Sequence, residues 1–325
     1  MNGRIAFLAK GREYSIPNSW ESLTPELYMG LVRDLIRFAG GSLSVAEVRI
    51  GHVCRSMGWN PSKVRSEDGW QNIVILSEQV TFPFLIEYPD GDAALDPLTP
   101  EQYRRCKRTD PSRLEGVPIA HYLRRLDYRY VIDTCFCAQL LPSIGSCHPS
   151  IGSLQGYKVN NSFGRLTCSL TALQFIEARE LLDRCDAYPL LTAILYYPGR
   201  YSSEGAHELA AALGAVPDEV HWAVSFNFRA LVNFLFTRTE FKLLTEPKGT
   251  SQSAISTGAL EALYNLSSDG LGTADQIEHL GLIQYLTILR KKLIESVRAL
   301  HASKMDLADI GNETGLSVQT IKEMI

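Results

Sequence analysis

The residues of this chain that could hold a metal lie near its middle. Cys135 and Cys137 are followed by Cys147 and His148, which are side chains that zinc accepts as ligands. Structural zinc sites, however, place two to four residues between paired cysteines, and the sequence has no second matching pair. We therefore predict buried thiols here and no metal site.

Catalytic and cofactor-binding motifs are not found elsewhere in the sequence. The seven histidines form no zinc-protease pair, and neither a nucleophile elbow nor a phosphate-binding loop occurs. We therefore predict no catalytic residues and no cofactor, and we expect a protein that is not an enzyme. A weaker alternative is an enzyme with its site in the Gly- and Ser-rich segment 141–164, because long loops in compact domains are commonly functional.

The end of the chain has the pattern of two short helices joined by a turn. The first helix is predicted to end at Thr314, Gly315 to supply the turn and Ser317 to cap the second helix, with Val318 and Ile321 pointing inward. This pattern resembles the helix-turn-helix of bacterial DNA-binding domains. In that motif the start of the second helix contacts base edges in the major groove. The resemblance implies the nucleic-acid-binding candidates Ser317, Gln319, Thr320 and Lys322.

Two features of the same segment count against DNA binding. Lys322 is the only base of the second helix and is followed by Glu323, whereas phosphate contacts supply most of the affinity for DNA. The second helix also has only about two turns before Ile325. We therefore expect a structural helical hairpin, and we keep as the alternative a DNA-binding accessory or regulatory protein that uses this segment.

A second basic segment lies between Arg104 and Arg129, with tyrosines interleaved. Such a pattern suits nucleic acid or an acidic partner protein. We expect instead a solvated helix face whose bases pair with nearby acids such as Glu101, Asp110 and Asp127.

Helices must position these groups. Three of the predicted helices begin with the same sequence pattern, Leu-Thr-x-x-x-aromatic. It begins at Leu23, Leu98 and Leu170. Each threonine can cap a helix, and the aromatic residue is expected to start the buried stripe. The phrase indicates a shared way of starting a helix rather than a duplication. The third copy opens an amphipathic helix over 170–183, which we expect to be the centre of the core.

The remaining pattern predicts further elements along the chain. A β-hairpin is expected over 4–16 and a strand over 81–88. For residues 122–141 a helix is favoured and a strand is the alternative. The other predicted helices cover 25–39, 45–57, 69–80, 188–197, 206–213, 218–236 and 274–301.

Composition and charge are those of an ordinary globular protein. Of the 325 residues, 45% are hydrophobic and 21% are charged, and the net charge of −4 gives no overall attraction to nucleic acid or anionic lipid. Seven cysteines, an odd number with irregular spacing, indicate reduced thiols. No apolar segment approaches the roughly 20 residues of a membrane span. We expect a soluble cytoplasmic protein with no membrane partner.

These elements together predict a mainly α (α+β) fold. The predicted organisation is a mostly helical body over 1–245 with small β elements, a polar linker over 246–258, and a helical segment over 259–325 with the helix-turn-helix-like end.

Two packing phrases resemble uncharacterised proteins encoded in prophages of gut Bacteroidales. The first is Tyr14–Tyr28, and the second is Leu170–Leu182 followed by Leu190–Pro198. The resemblance covers residues 1–245. Such proteins are usually encoded among tail and baseplate genes and are suspected of acting in tail assembly. The resemblance implies a non-enzymatic, phage-derived structural or tail-assembly protein that binds other virion proteins or itself. It also implies a location in the cytoplasm of a host cell or in the virion, and it assigns no functional residue.

Overall fold

A computed structural model describes residues 3–9, 11–145, 152–162, 164–245, 266–267 and 272–325. The chain divides into two compact units, Met1–Thr134 and Cys135–Ile325. In the described residues, thirteen α-helices accompany four two-stranded antiparallel sheets. The predicted mainly α fold with small β elements is confirmed.

The N-terminal unit begins with the predicted hairpin. Strand β1 (Arg4–Ala9) pairs antiparallel with β2 (Arg12–Pro17), and Ala9 lies opposite Arg12. Gly11 in the turn has a φ of +72°, a left-handed conformation that glycine adopts without steric cost. Lys10, which precedes Gly11 in the predicted hairpin, lies outside the described residues.

Three helices follow the hairpin, as predicted. They are α1 (Pro25–Ala39), α2 (Val45–Met57) and α3 (Glu67–Glu78). The third begins two residues earlier than predicted because Ser66 is its cap, and the Ser66 hydroxyl accepts a hydrogen bond from the Gly69 N–H at 3.2 Å.

The rest of this unit contains two short helices and a second pair of strands. In chain order these are β3 (Phe84–Glu87), α4 (Pro100–Arg108), α5 (Ala120–Leu123) and β4 (Arg129–Ile132). The helix favoured over 122–141 is wrong, and its strand alternative holds for β4. The reason is long-range, because β4 pairs antiparallel with β3.

The C-terminal unit opens with two small hairpins. Strand β5 (Ser143–Gly145) pairs with β6 (Ser153–Gln155), and β7 (Val159–Ser162) pairs with β8 (Arg165–Cys168). Segment 141–164, expected to be a long loop, therefore contains strands in its described residues. Strands of three or four residues are too short to show a period-2 pattern among glycines and serines.

Four helices form the centre of this unit. They are α6 (Ala172–Glu180), α7 (Tyr188–Leu195), α8 (Ser203–Leu213) and α9 (Asp218–Arg238). Six of the nine residues of α6 are buried, so this helix lies inside the core as predicted. The amphipathic character predicted for it is wrong, since packing covers more than one face.

The chain ends in four helices. They are α10 (Ala274–Glu278), α11 (Leu282–Ala302), α12 (Leu307–Thr314) and α13 (Val318–Met324). The predicted end of the first helix at Thr314, the turn at Gly315 and the Ser317 cap of the second helix are confirmed, and Gly315 is left-handed there. No helix of the described residues is long and apolar enough to span a membrane.

A backbone contact with the start of α6 interrupts the helix predicted over 274–301. The Ala172 N–H donates to the Leu280 carbonyl, and the Leu282 N–H donates to the Leu170 carbonyl, both at 2.8 Å. Backbone N–H and C=O groups that bond to another segment cannot also make the hydrogen bonds that continue a helix. The predicted linker, 246–258, lies outside the described residues, and helices on both sides of it belong to the same compact unit.

Candidate functional site

An apolar groove lies in the N-terminal unit between the tip of the β1–β2 hairpin and α3. Its volume is about 730 Å³, which is in the range of sites that bind small ligands or a few side chains of a partner. Most of its lining is apolar and includes Phe7, Leu8, Ala9, Trp59, Val64, Ile73, Ile75 and Leu76.

Several large apolar side chains at this groove are exposed. Leu8 is 77% exposed and Ile75 is 48% exposed. Helix α3 carries four consecutive apolar residues, and a helix on a surface buries only one stripe. Ile73 and Leu76 are therefore buried, whereas Val74 and Ile75 face outward. Clustered exposed apolar side chains of this kind mark surfaces that bind other molecules.

Aromatic contacts hold the hairpin tip at the edge of the groove. The Phe7 ring stacks on Tyr14 with centroids 5.6 Å apart and meets Trp59 edge-on at 6.5 Å. Within the described residues β1 pairs only with β2. The outer edge of β1 therefore has no strand partner there.

A second, polar pocket of about 450 Å³ lies between α2, the end of α3, the segment after α4 and β4. It is also contained in the N-terminal unit. The charged side chains of its lining are three arginines and two carboxylates: Arg49, Arg108, Arg113, Glu78 and Asp110.

The Asp110 carboxylate of this pocket is held by four donors. It accepts from the Ser112 N–H at 2.9 Å, the Ser112 hydroxyl at 2.6 Å, the Tyr130 hydroxyl at 2.9 Å and the Tyr128 hydroxyl at 3.2 Å. Burial raises the pKa of Asp110, but these hydrogen bonds together lower it below its usual value. The pKa of Tyr130 is raised to about 12, first by burial and then by its bond to Asp110. Asp110 is therefore ionised and Tyr130 neutral near neutral pH.

Two further ion pairs occupy the pocket walls. Arg113 donates to Glu78 at 2.5 Å, and this hydrogen bond is the main reason that the pKa of Glu78 is lowered. Arg108 donates to the buried Asp133 at 2.5 Å and to the Phe82 carbonyl at 3.0 Å. Both arginines therefore already have carboxylate partners.

Bases of the segment 104–129 pair with acids, as the sequence predicts, but with other acids than predicted. The pairs are Lys107 with Asp92, Arg108 with Asp133, Arg113 with Glu78 and Arg129 with Glu87. Most of these acids belong to elements that precede the basic segment. Glu101, Asp110 and Asp127, which are closer in sequence, do not make these pairs. Several bases of this segment are therefore already paired within the unit.

The four DNA-binding candidates lie at the start of α13, and two of them form its cap. The Ser317 hydroxyl accepts from the Thr320 N–H at 3.1 Å, and the two hydroxyls are 2.8 Å apart. Thr320 is only 9% exposed. Gln319 is exposed and donates to Glu323 at 3.2 Å, and Lys322 is exposed. Gln319 and Lys322 are the accessible members of this set that the cap does not use.

The inward direction predicted for Val318 is wrong, because this residue is 40% exposed. Thr320, Ile321 and Met324 form the buried face of α13. Ile321 points inward as predicted, but a face that includes Thr320 is rotated away from Val318.

The cysteines considered for a metal lie in an irregular segment after β4. Cys135 and Cys137 are half-buried rather than buried. Cys147 and His148 lie outside the described residues. In the part of the chain that the structure describes, no group of three His, Cys, Asp or Glu side chains could hold a metal ion.

Sequence patterns do not single out the groove or the polar pocket, although each leaves a signal. The four consecutive apolar residues 73–76 exceed what one helix stripe can bury. Arg49 lies between Val48 and Ile50, which makes it a cation next to the buried stripe of α2. Neither signal identifies a site by itself, because the other residues that line the groove and the polar pocket come from distant segments of the chain.

The chain matches no protein-family model, and comparisons with curated proteins and with solved structures also give no match.

Proposed function

We propose that this chain is a non-enzymatic, phage-derived assembly protein that acts by binding another protein of the tail region. The apolar groove between the β1–β2 tip and α3 carries this proposal, because Leu8 and Ile75 expose apolar surface at one place. The resemblance of residues 14–28 and 170–198 to prophage tail-region proteins supports the choice of partner.

The partner segment that suits this groove is an extended, aliphatic strand. The outer edge of β1 has no strand partner in the described residues, and Phe7, Leu8 and Ala9 at its end line the groove. An added strand would take its backbone hydrogen bonds from that edge, and side chains on one of its faces would enter the groove. The same segment would thereby cover Ile75.

Co-expression with proteins encoded by neighbouring genes tests this function. We expect a tail or baseplate protein to form a stable complex with the chain, measured by size-exclusion chromatography with light scattering. The substitutions Leu8→Asp and Ile75→Asp should weaken this complex at least about tenfold, since each would place a charge in an apolar interface. Tyr122→Asp, at another exposed residue of the same unit, is the matched control and should leave binding unchanged.

Two outcomes would contradict the proposal. One is that no neighbouring tail or baseplate protein binds, or that binding persists in both groove variants. The other is that the chain alone forms a dimer that Leu8→Asp dissociates, because the groove would then hold a second copy instead of a partner.

A further inference from the structure

Arg49 in the polar pocket lies beside two aromatic rings but has no carboxylate partner among the described residues. Its guanidinium carbon lies 5.4 Å from the centre of the Tyr130 ring and 5.8 Å from that of Phe84. Its Nε is buried and has no hydrogen-bond partner in the same part of the chain. The other two arginines of the pocket each hold a carboxylate, and Arg49 does not.

This arrangement is costly for a cation unless an anion completes it. Burial lowers the pKa of Arg49, and the Tyr130 hydroxyl and Asp110 offset only part of that effect. Buried charges in proteins are normally paired and fully hydrogen-bonded. The rings of Tyr130 and Phe84 lie within cation–π distance of the guanidinium, but they supply no negative charge to pair it.

The two carboxylates of the pocket already have other partners. Asp110 accepts from Ser112 and from two tyrosines, and Glu78 accepts from Arg113. The pocket therefore contains a cation with free donor capacity beside an open volume of about 450 Å³, which suits a small molecule.

We propose that this pocket binds a small organic monocarboxylate, with its carboxylate on Arg49 and its apolar part against Val45, Ala46 and Ile50. The carboxylate would accept from the Nη groups of the guanidinium, and its charge would pair the cation that has no carboxylate partner. Glu78 and Asp110 also line the pocket and repel anions, so a monoanion fits better than a phosphate dianion. This inference concerns a different site from the apolar groove and does not depend on the proposed function.

Titration of the full chain with hexanoate, followed by calorimetry and by NMR of the arginine Nε–H signals, tests this site. We expect hexanoate to bind and to shift the Arg49 Nε–H signal. Hexanamide, which has the same shape without the charge, and inorganic phosphate should each bind at least about tenfold more weakly. Equal binding of hexanoate and hexanamide, or tighter binding of phosphate, would overturn the assignment.

Variants of the pocket locate the binding residue. Arg49→Gln should weaken hexanoate binding at least about tenfold, whereas Arg104→Gln, at an exposed arginine of α4, should not change it. If Arg49→Gln fails to fold, Glu78→Gln provides the second test. It removes a repelling charge and releases Arg113, so hexanoate should bind several-fold more tightly. Unchanged affinity in a folded Arg49→Gln, or unchanged or weaker affinity in Glu78→Gln, would contradict the proposal.

Discussion

At the residue scale, the N-terminal unit keeps one histidine buried and neutral. The His52 ring is fully buried on α2, its Nε2–H donates to the Pro17 carbonyl at 2.9 Å, and Phe82 packs edge-on against it at 5.4 Å between centroids. We assign the proton to Nε2 because a carbonyl can only accept. Burial lowers the pKa of His52, and the charge of Arg55 lowers it further. Together they outweigh the hydrogen bond to Pro17 and the charge of Asp34, which raise it.

This histidine should make folding stability depend on pH. Because its pKa is lower in the folded than in the unfolded chain, the unfolded chain binds the proton first as pH falls below the usual value of 6.5. Stability present near neutral pH is therefore lost at lower pH. We expect the drop in urea midpoint between about pH 7.5 and about pH 5.5 to be smaller in His52→Gln, whose amide can still donate to Pro17.

An independent measurement separates this effect from general acid destabilisation. In the folded chain the His52 imidazole signals should stay in their neutral position as pH falls to about 6.5, where an unfolded imidazole is half protonated. Protonation of His52 at or above that pH, or an equal midpoint drop in His52→Gln, would show that burial does not control this group.

At the element scale, the start of α6 depends on two side chains. The Thr171 hydroxyl accepts from the Gln174 N–H at 3.2 Å, and the Gln174 carbonyl oxygen accepts from the Thr171 N–H at 3.1 Å. The Gln174 amide also donates to the Ile194 carbonyl in α7 at 3.0 Å. One buried glutamine therefore both caps its own helix and joins it to the next one.

Substitutions at these two positions should have graded effects. Thr171→Ala removes one cap bond and should lower the free energy of unfolding by about 1 kcal/mol, while Thr171→Ser keeps the acceptor and should cost little. Gln174→Leu removes two side-chain bonds and leaves the buried Ile194 carbonyl unpaired, so we expect a loss of about 2 kcal/mol or more. Urea unfolding of the three variants measures this order, and an equal loss in all three would contradict it.

Local signals explain which elements the sequence predicts. The threonines at Thr24, Thr99 and Thr171 all accept the expected backbone N–H, because a cap is decided within four residues. The aromatic residue of the same phrase is buried at Tyr28 and Phe175, whereas Tyr103 is 41% exposed. Whether that position is buried depends on what packs against each helix, which the phrase does not contain.

At the scale of the whole molecule, the candidate sites were less predictable than the helices. Glu78 and Arg113 meet in the polar pocket although 35 positions separate them. The groove likewise joins Leu8 to Ile75. Such long-range contacts arise from tertiary packing, and sequence periodicity does not predict them. The strand β4 illustrates the same limit, since its partner β3 lies more than 40 residues earlier.

The last two helices are part of the packing of the C-terminal unit. Leu293 and Val297 of α11 form one buried cluster with Ile310, Leu316 and Ile321. Arg298 of α11 also donates to the Met324 carbonyl at 3.0 Å. Removing the chain after Ser303 would therefore expose apolar surface on α11, so loss of DNA binding in such a truncation would not identify a DNA contact.

Point substitutions on the exposed face of α13 test DNA binding without that disturbance. Gln319 and Lys322 are exposed, so Gln319→Ala and Lys322→Glu should fold normally. We expect no mobility shift of duplex DNA at physiological salt with the intact chain, because Lys322 stands beside Glu323 and one base gives little phosphate affinity. A salt-dependent shift that Lys322→Glu abolishes would instead support the DNA-binding alternative. A shift that both variants retain would place the DNA contact on another surface.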